Sequence, residues 1–159
     1  EEPEPTEEPQ GDITTEFTSP EFGTAFDFES DLYEGQSGRV TVNSLKPDVE
    51  DMIAEYDPSY FKPAEGNIYF LLNVTVENTG GESFSPWLEL DPLLIGAEGQ
   101  EATWAITTIP DDLSDMGELA PGETMTGNML LEGNKSFLNT KSQLHINLLY
   151  GVPVIMLLD

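Results

Sequence analysis

The sequence predicts an all-β protein, an antiparallel β-sandwich of about seven to nine strands with one short helical insertion. Three observations carry this. Ile68, Phe70, Leu72, Val74 and Val76 fall on one side of a ten-residue run while Asn73, Thr75 and Glu77 fall on the other, the alternation a half-buried strand imposes because successive side chains point to opposite faces. Shorter alternating runs recur along the chain between Gly, Pro and Asn turn residues, with no strand–helix–strand rhythm. The 159 residues are enough for one core and too few for two comfortable domains.

Taken in order, residues 1–20 are Glu, Pro and Thr with hardly an apolar side chain. Such a segment cannot bury enough surface to offset its ordering entropy, so it reads as a disordered linker. Like-charge repulsion and the fixed φ of Pro3, Pro5 and Pro9 keep it extended. The domain then runs over 21–159. Phe26 and Phe28 share a strand face, as do Val40 and Val42, with Gly35 and Gly38 between the pairs.

Val49, Met52, Ile53 and Tyr56 recur at helical spacing, and Asp48 after Pro47 is placed to cap. The expectation is a turn or two of helix across an open end of the sandwich. After the strand over Ile68 to Glu77 comes a turn at Asn78-Thr79-Gly80-Gly81, where glycine is free to adopt a left-handed conformation. Strands are expected at Phe84 to Leu90 and at Ala102 to Ile106, joined through Gly96-Ala97-Glu98-Gly99. Ala120-Pro121-Gly122-Glu123 places Pro and Gly at the two central positions of a type II turn. Met125, Gly127, Met129 and Leu131 share a face of the next strand, and Leu144, Ile146, Leu148 and Tyr150 a face of another. Val154 to Leu158 closes the chain.

Charge narrows the partners. Thirty-one acids stand against five scattered bases, a net −26, and counterion release at phosphates needs clustered Lys and Arg. Nucleic acid and anionic lipid surfaces are therefore not expected as partners, and a cation or a basic protein surface is the only kind this net charge attracts. Twelve of the acids lie between Glu1 and Glu34 with no base among them, which leaves −14 of the −26 for the rest. That skew favours a tether over a salt-adapted surface. The absence of Cys removes disulfides, thiolate catalysis and Cys-based zinc sites. The longest apolar run, Val152 to Leu158, is interrupted by Pro153 and far shorter than the roughly 20 residues of a membrane helix.

No residue pattern carries catalytic chemistry. His145, the single histidine, lies on the polar side of its strand and has no Gly-x-Ser-x-Gly elbow to serve; it reads as an exposed or edge-strand side chain. Met125 and Met129 stand four residues apart on one strand, roughly 13 Å, too far for one copper ion to bridge, and read as core packing. Asp111, Asp112 and Asp115 crowd one loop in a spacing unlike a calcium-binding loop. Trp104 alternates with Ala102 and Ile106 and is expected in the core, while Trp87 is balanced between core and a ligand platform. The sequons Asn73-Val74-Thr75 and Asn134-Lys135-Ser136 are short and frequent by chance.

Two segments together resemble a known family. Gly66 to Gly80, with its strand Ile68-Tyr69-Phe70-Leu71-Leu72-Asn73-Val74-Thr75-Val76-Glu77, and Gly117-Glu118-Leu119-Ala120-Pro121-Gly122-Glu123-Thr124-Met125-Thr126-Gly127 are similar to the two signatures of secreted bacterial immunoglobulin-like domains of the DUF4352 family. That family is similar in fold to the secreted immunoprotective antigen of mycobacteria. The resemblance covers roughly Ser37 to Tyr150. It implies an immunoglobulin-like sandwich and an extracellular location, commonly on a surface lipoprotein whose acylated cysteine and low-complexity linker precede the domain. It brings no catalytic residues. The expectation is thus a non-enzymatic extracellular binding or structural module with no cofactor, no metal and an unidentified partner at the cell surface, meeting the membrane only through an upstream lipid anchor. The alternative is a secreted small-ligand or cation-binding domain using acidic loops or Trp87.

Overall fold

The computed structural model describes residues 17–30, 32–139 and 141–158; most of the expected linker, residues 1–16, lies outside them. Eight strands form the framework: β1 (Ala25–Glu29), β2 (Ser37–Pro47), β3 (Asn67–Asn78), β4 (Leu90–Gly96), β5 (Glu101–Ala105), β6 (Thr124–Asn134), β7 (Ser142–Leu148) and β8 (Val154–Leu158). They are hydrogen-bonded in the order β1-β2-β3-β6-β5-β4-β7-β8, and every pairing is antiparallel. β5 links the two layers. Its start pairs with β4 through Ala102 and Glu101, whereas Thr103, Trp104 and Ala105 pair with β6, so the sheet passes from one layer into the other at this strand.

The inward faces of the two layers make one core. Val42, Phe70, Leu72, Val74 and Leu131 from one side and Leu94, Leu144 and Leu148 from the other are wholly buried. Each such side chain contributes about 1.5–3 kcal/mol relative to exposure. Contact between the layers is close enough that Gly38 of β2 has no room for a side chain: a Cβ there would lie 2.5 Å from Leu148 Cδ2 of β7.

β3 is longer and more buried than the sequence pattern implies. Its inner residues follow the predicted alternation, but Tyr69 and Leu71 on the other face are buried too. They are covered by α1 (Glu50–Tyr56), whose Ile53, with Val49, packs on Tyr69, Leu71, Leu130 and Ile109 in a second small cluster. The helix therefore lies on the outer face of the β3–β6 layer, not across an open end. Asp48 does not cap it. Asp48 sits at φ 55, Val49 occupies the N-cap and no side chain caps the helix. Tyr56, at the predicted apolar spacing, is 55 % exposed because only one helix stripe meets the sheet.

Further along the outer face, Asn73 and Thr75 enter a cross-strand ladder. Asn43 Nδ2 donates to Asn73 Oδ1 at 2.8 Å and to Thr75 Oγ1 at 3.0 Å. Asn73 Nδ2 donates in turn to Asn128 Oδ1 at 2.8 Å. Both sequon-like segments thus have their strand or turn geometry fixed, the second by Ser136 N–H donating to Asn134 Oδ1 at 2.9 Å.

Three boundaries and one glycine conformation differ from expectation. Phe84 makes an isolated bridge with Leu119 and is followed by a helical turn, α2 (Pro86–Glu89), so the strand starts only at Leu90. Pro at the first helical position and the Ser85 hydroxyl accepting from Leu88 N–H explain it, overriding the alternation of Phe84 to Leu90. β7 ends at Leu148, leaving Tyr150 in the following turn. Gly80 is not left-handed; it is required because a Cβ would lie 2.5 Å from the Gly35 carbonyl oxygen. Phe17, inside the expected linker, is buried, donates its N–H to the Leu45 carbonyl at 3.0 Å and stacks on Phe70 at 6.2 Å between centroids.

The predicted type II turn is present. Gly122 has φ 85 and Glu123 N–H donates to the Ala120 carbonyl at 3.0 Å. It is pinned to the end of β3 by Asn78, whose carbonyl accepts from Gly122 N–H at 2.9 Å. The Asn78 side chain is fully buried and donates to the carbonyls of Glu82 (2.8 Å) and Leu119 (2.9 Å) while accepting from Gly80 N–H at 2.9 Å.

Candidate functional site

A cleft opens where the two layers part. β4 and β5 are hydrogen-bonded only near their hairpin, at Leu94–Ala102 and Ile95–Glu101; beyond Ala102, β5 follows β6 while β4 continues toward α2. Trp104 stands opposite Leu131 on the inward side of β5, yet it is 55 % exposed because no β4 residue remains to cover it. The sequence expectation of a core Trp104 is corrected for this reason: alternation identifies the side of a strand, not whether another layer reaches it. Ile106, next in the alternation, is likewise exposed.

The cleft has a volume of about 290 Å³ and is lined by Trp87, Leu88, Glu89, Leu90, Asp91, Trp104, Met129, Asn147 and Tyr150. Each element contributes by a local rule. α2 carries Trp87, Leu88 and Glu89, the start of β4 brings Leu90 and Asp91, and Met129 of β6 and Leu90 are the buried apolar members. Trp87 and Trp104 meet edge-to-face, centroids 6.1 Å apart and planes at 70°, an arrangement their ring quadrupoles favour. Asn147 of β7 is the direct register partner of Asp91 of β4.

Tyr150 reaches the cleft through a strained turn. Leu149 and Tyr150 have φ 59 and 60, and Gly151 N–H donates to the Leu148 carbonyl at 3.1 Å, the pattern of a type I′ turn that ordinarily takes Asn and Gly. A non-glycine left-handed residue costs about 1–3 kcal/mol. The turn is held by wholly buried Leu149, by Leu149 N–H donating to the Glu89 carbonyl at 3.0 Å, and by Gly151, where a Cβ would lie 2.7 Å from the Glu29 carbonyl oxygen. The same contacts that hold the strain join the Tyr150 turn to Glu89.

Two lining residues carry buried oxygens with no hydrogen-bond partner among the described residues, Glu89 Oε1 and Asn147 Oδ1. Buried polar atoms are paired in the large majority of cases; a third such atom, Ser142 Oγ, lies outside the cleft. No Lys, Arg or His lines it.

The other candidates do not converge. His145 lies on β7, an interior strand between β4 and β8, half-buried beside Gln143 Oε1 at 3.1 Å, so it is not on an edge. Met129 is a core residue and Met125 packs against the same core. Asp112 caps a 3-10 turn (Leu113–Asp115) by accepting from Ser114 N–H at 2.9 Å, and Asp111 sits at φ 50 with its carbonyl accepting from Asn128 N–H. Among the described residues no three His, Cys, Asp or Glu side chains gather as a metal site. Trp87 and Trp104 were legible in the sequence as a possible aromatic platform, with Trp104 weighed toward the core; Glu89, Asn147 and Tyr150 were not, because only the parting of the layers brings them together.

The model of the DUF4352 family, a domain of unknown function, matches residues 36–151. Among solved structures, the chain is similar to an uncharacterised β-sandwich protein of Clostridium difficile 630, with TM-score 0.50 and 12 % identity, covering 80 % of this chain and 87 % of that one. It is also similar to a conserved hypothetical protein of Bacillus anthracis (TM-score 0.46, 15 % identity, 77 % of this chain and 92 % of that one). A third similar structure, from Bacillus subtilis, is named "putative lipoprotein (ycdA)" (TM-score 0.44, 16 % identity, 91 % of this chain and 38 % of that one). At 12 % identity the first of these likenesses is one of fold alone. The sequence matches no curated protein. No helix among the described residues is long and apolar enough to cross a membrane.

Proposed function

This chain belongs to the DUF4352 family, and on that premise we propose that it is a non-enzymatic binding module displayed outside a bacterial cell by a lipid-anchored precursor, with the Trp87–Trp104 cleft as its binding site. The observation that carries the reading is the coincidence, in one cleft, of three aromatic rings and two buried acceptors without donors. Ligand sites combine an apolar lining with a few placed polar groups. The acidic, proline-containing first 16 residues suit, by composition, a spacer between an anchor and this domain.

The chain has two tryptophans, both in the cleft, so its indole signals are a built-in reporter. Screening a library of small amines, sugars and short peptides by indole NMR tests the reading. Ligands of the cleft shift both indole N–H signals and lose affinity in Trp104→Ala. A library whose hits leave both signals unmoved rejects the site. Palmitate labelling of the full precursor in cells tests the anchor separately.

A second reading rests on β8, the end strand of the sheet order, whose Ile155 and Leu157 are 51 % and 64 % exposed. Pairing of this edge with a partner strand would place the contact there.

A further inference from the structure

Resting on the cleft being the binding site, we infer that its ligand is an organic cation with N–H donors, a primary ammonium or guanidinium group carried on an apolar stem. Charge comes first. Glu89 and Asp91 both line the cleft and no basic side chain does, in a protein of net charge −26, so the cleft attracts cations and repels anions. Hydrogen bonding narrows the class. Glu89 Oε1 and Asn147 Oδ1 are solvent-inaccessible acceptors without donors among the described residues, on side chains that line the cleft, so a ligand that donates, once the side chain turns its oxygen into the cleft, supplies a partner that an apolar or acceptor-only ligand lacks. A quaternary ammonium has no N–H to give.

The aromatics serve the rest of the group. Trp87, Trp104 and Tyr150 surround the cleft, and a cation over an indole or phenol face is attracted by the ring quadrupole. The indoles stand at 70° to one another, so they form two walls of a corner and not the flat platform on which a sugar ring stacks. The volume of about 290 Å³ lies at the small end of ligand pockets, enough for one aliphatic amine or for one Lys or Arg side chain of a peptide. These two sources share the same chemistry and are separated by the test.

The test is a tryptophan-fluorescence titration of the whole chain at low salt with 1,5-diaminopentane, agmatine, a short Lys/Arg-containing peptide, and the neutral controls 1,5-pentanediol and maltose. Saturable changes are expected with at least one cationic probe, weakened about tenfold or more in Glu89→Gln and in Trp104→Ala, and not with the controls. Asp91→Asn, exposed and on the rim, should weaken binding less. Tighter binding of the peptide than of both free amines identifies a protein side chain as the source; the reverse identifies a small amine. Saturation by the diol or sugar with none by the cations overturns the inference while leaving the cleft as a binding site. Indole signals unmoved by every probe overturn the inference, and if the wider library also leaves them unmoved the reading of the cleft fails with it.

Discussion

The indoles of Trp87 and Trp104 meet edge-to-face 6.1 Å apart, although one sits on a helical turn and the other on a strand of the opposite layer, 17 residues on. The pair closes a cleft instead of filling the core, and that sets a stability expectation. Truncating a core Trp costs about 3–5 kcal/mol. Trp104→Ala, at 55 % exposure, should cost only about 1 kcal/mol, the aromatic-pair energy and a little area. Chemical denaturation of the variant measures this, and a loss above 3 kcal/mol would place Trp104 in the core after all.

Tyr150 should trade stability for binding. Tyr150→Gly removes a side chain held at φ 60 and is expected to raise stability by up to about 1 kcal/mol, the relief of left-handed strain less the entropy of glycine. The same change takes one aromatic wall from the cleft. Thermal melts and ligand titration of one sample report the two effects with opposite sign.

Asn78 joins the ends of the two family signatures. Asn78→Asp keeps the shape but replaces two N–H donors by a carboxylate oxygen facing the Glu82 and Leu119 carbonyls. Leaving such buried groups unpaired costs about 1–3 kcal/mol each, so a loss of at least about 2 kcal/mol is expected at neutral pH. Urea unfolding of wild type and variant is the check.

Phe17 fixes where the folded domain starts. It is 4 % exposed and stacks on Phe70, so Phe17→Ala should destabilise by about 3–5 kcal/mol. A chain starting at Glu21 should lose a similar amount, while one starting at Glu16 should match the full chain. Equal melting temperatures for the two truncations would show that Phe17 contributes nothing.

Tyr60 donates its hydroxyl to Glu50 of α1. That bond, then burial and the neighbouring carboxylates, raise its pKa from about 10 to about 12. The neutral phenol is favoured in the folded state, so its contribution is whole below pH 10 and is lost as pH rises toward 12. Ultraviolet titration should show a tyrosine ionising near pH 12, and Glu50→Gln should lower that midpoint.

Much of the fold was legible because strands declare themselves locally. Ile68 to Glu77, the Pro121–Gly122 turn and the strands containing Val40, Met129 and Ile146 follow from side-chain alternation and turn stereochemistry. The resemblance resting on the first two spans nearly the 36–151 matched by the family model. Legibility failed where alternation met a stronger local signal. At Phe84 to Leu90, Ser85 and Pro86 start a helical turn, and at Asp48 the backbone takes φ 55 instead of capping.

The sequence by itself determined the sandwich, the acidic character and the lack of cysteine chemistry, because composition and period-two patterning are properties of short stretches of chain. Tertiary structure alone decided where Trp104 lies, what covers Tyr69 and Leu71, and which residues share the cleft. Each depends on where β5 leaves β4 and on what α1 packs against. Such contacts join residues far apart in sequence, and no local pattern encodes whether a second layer reaches a given face.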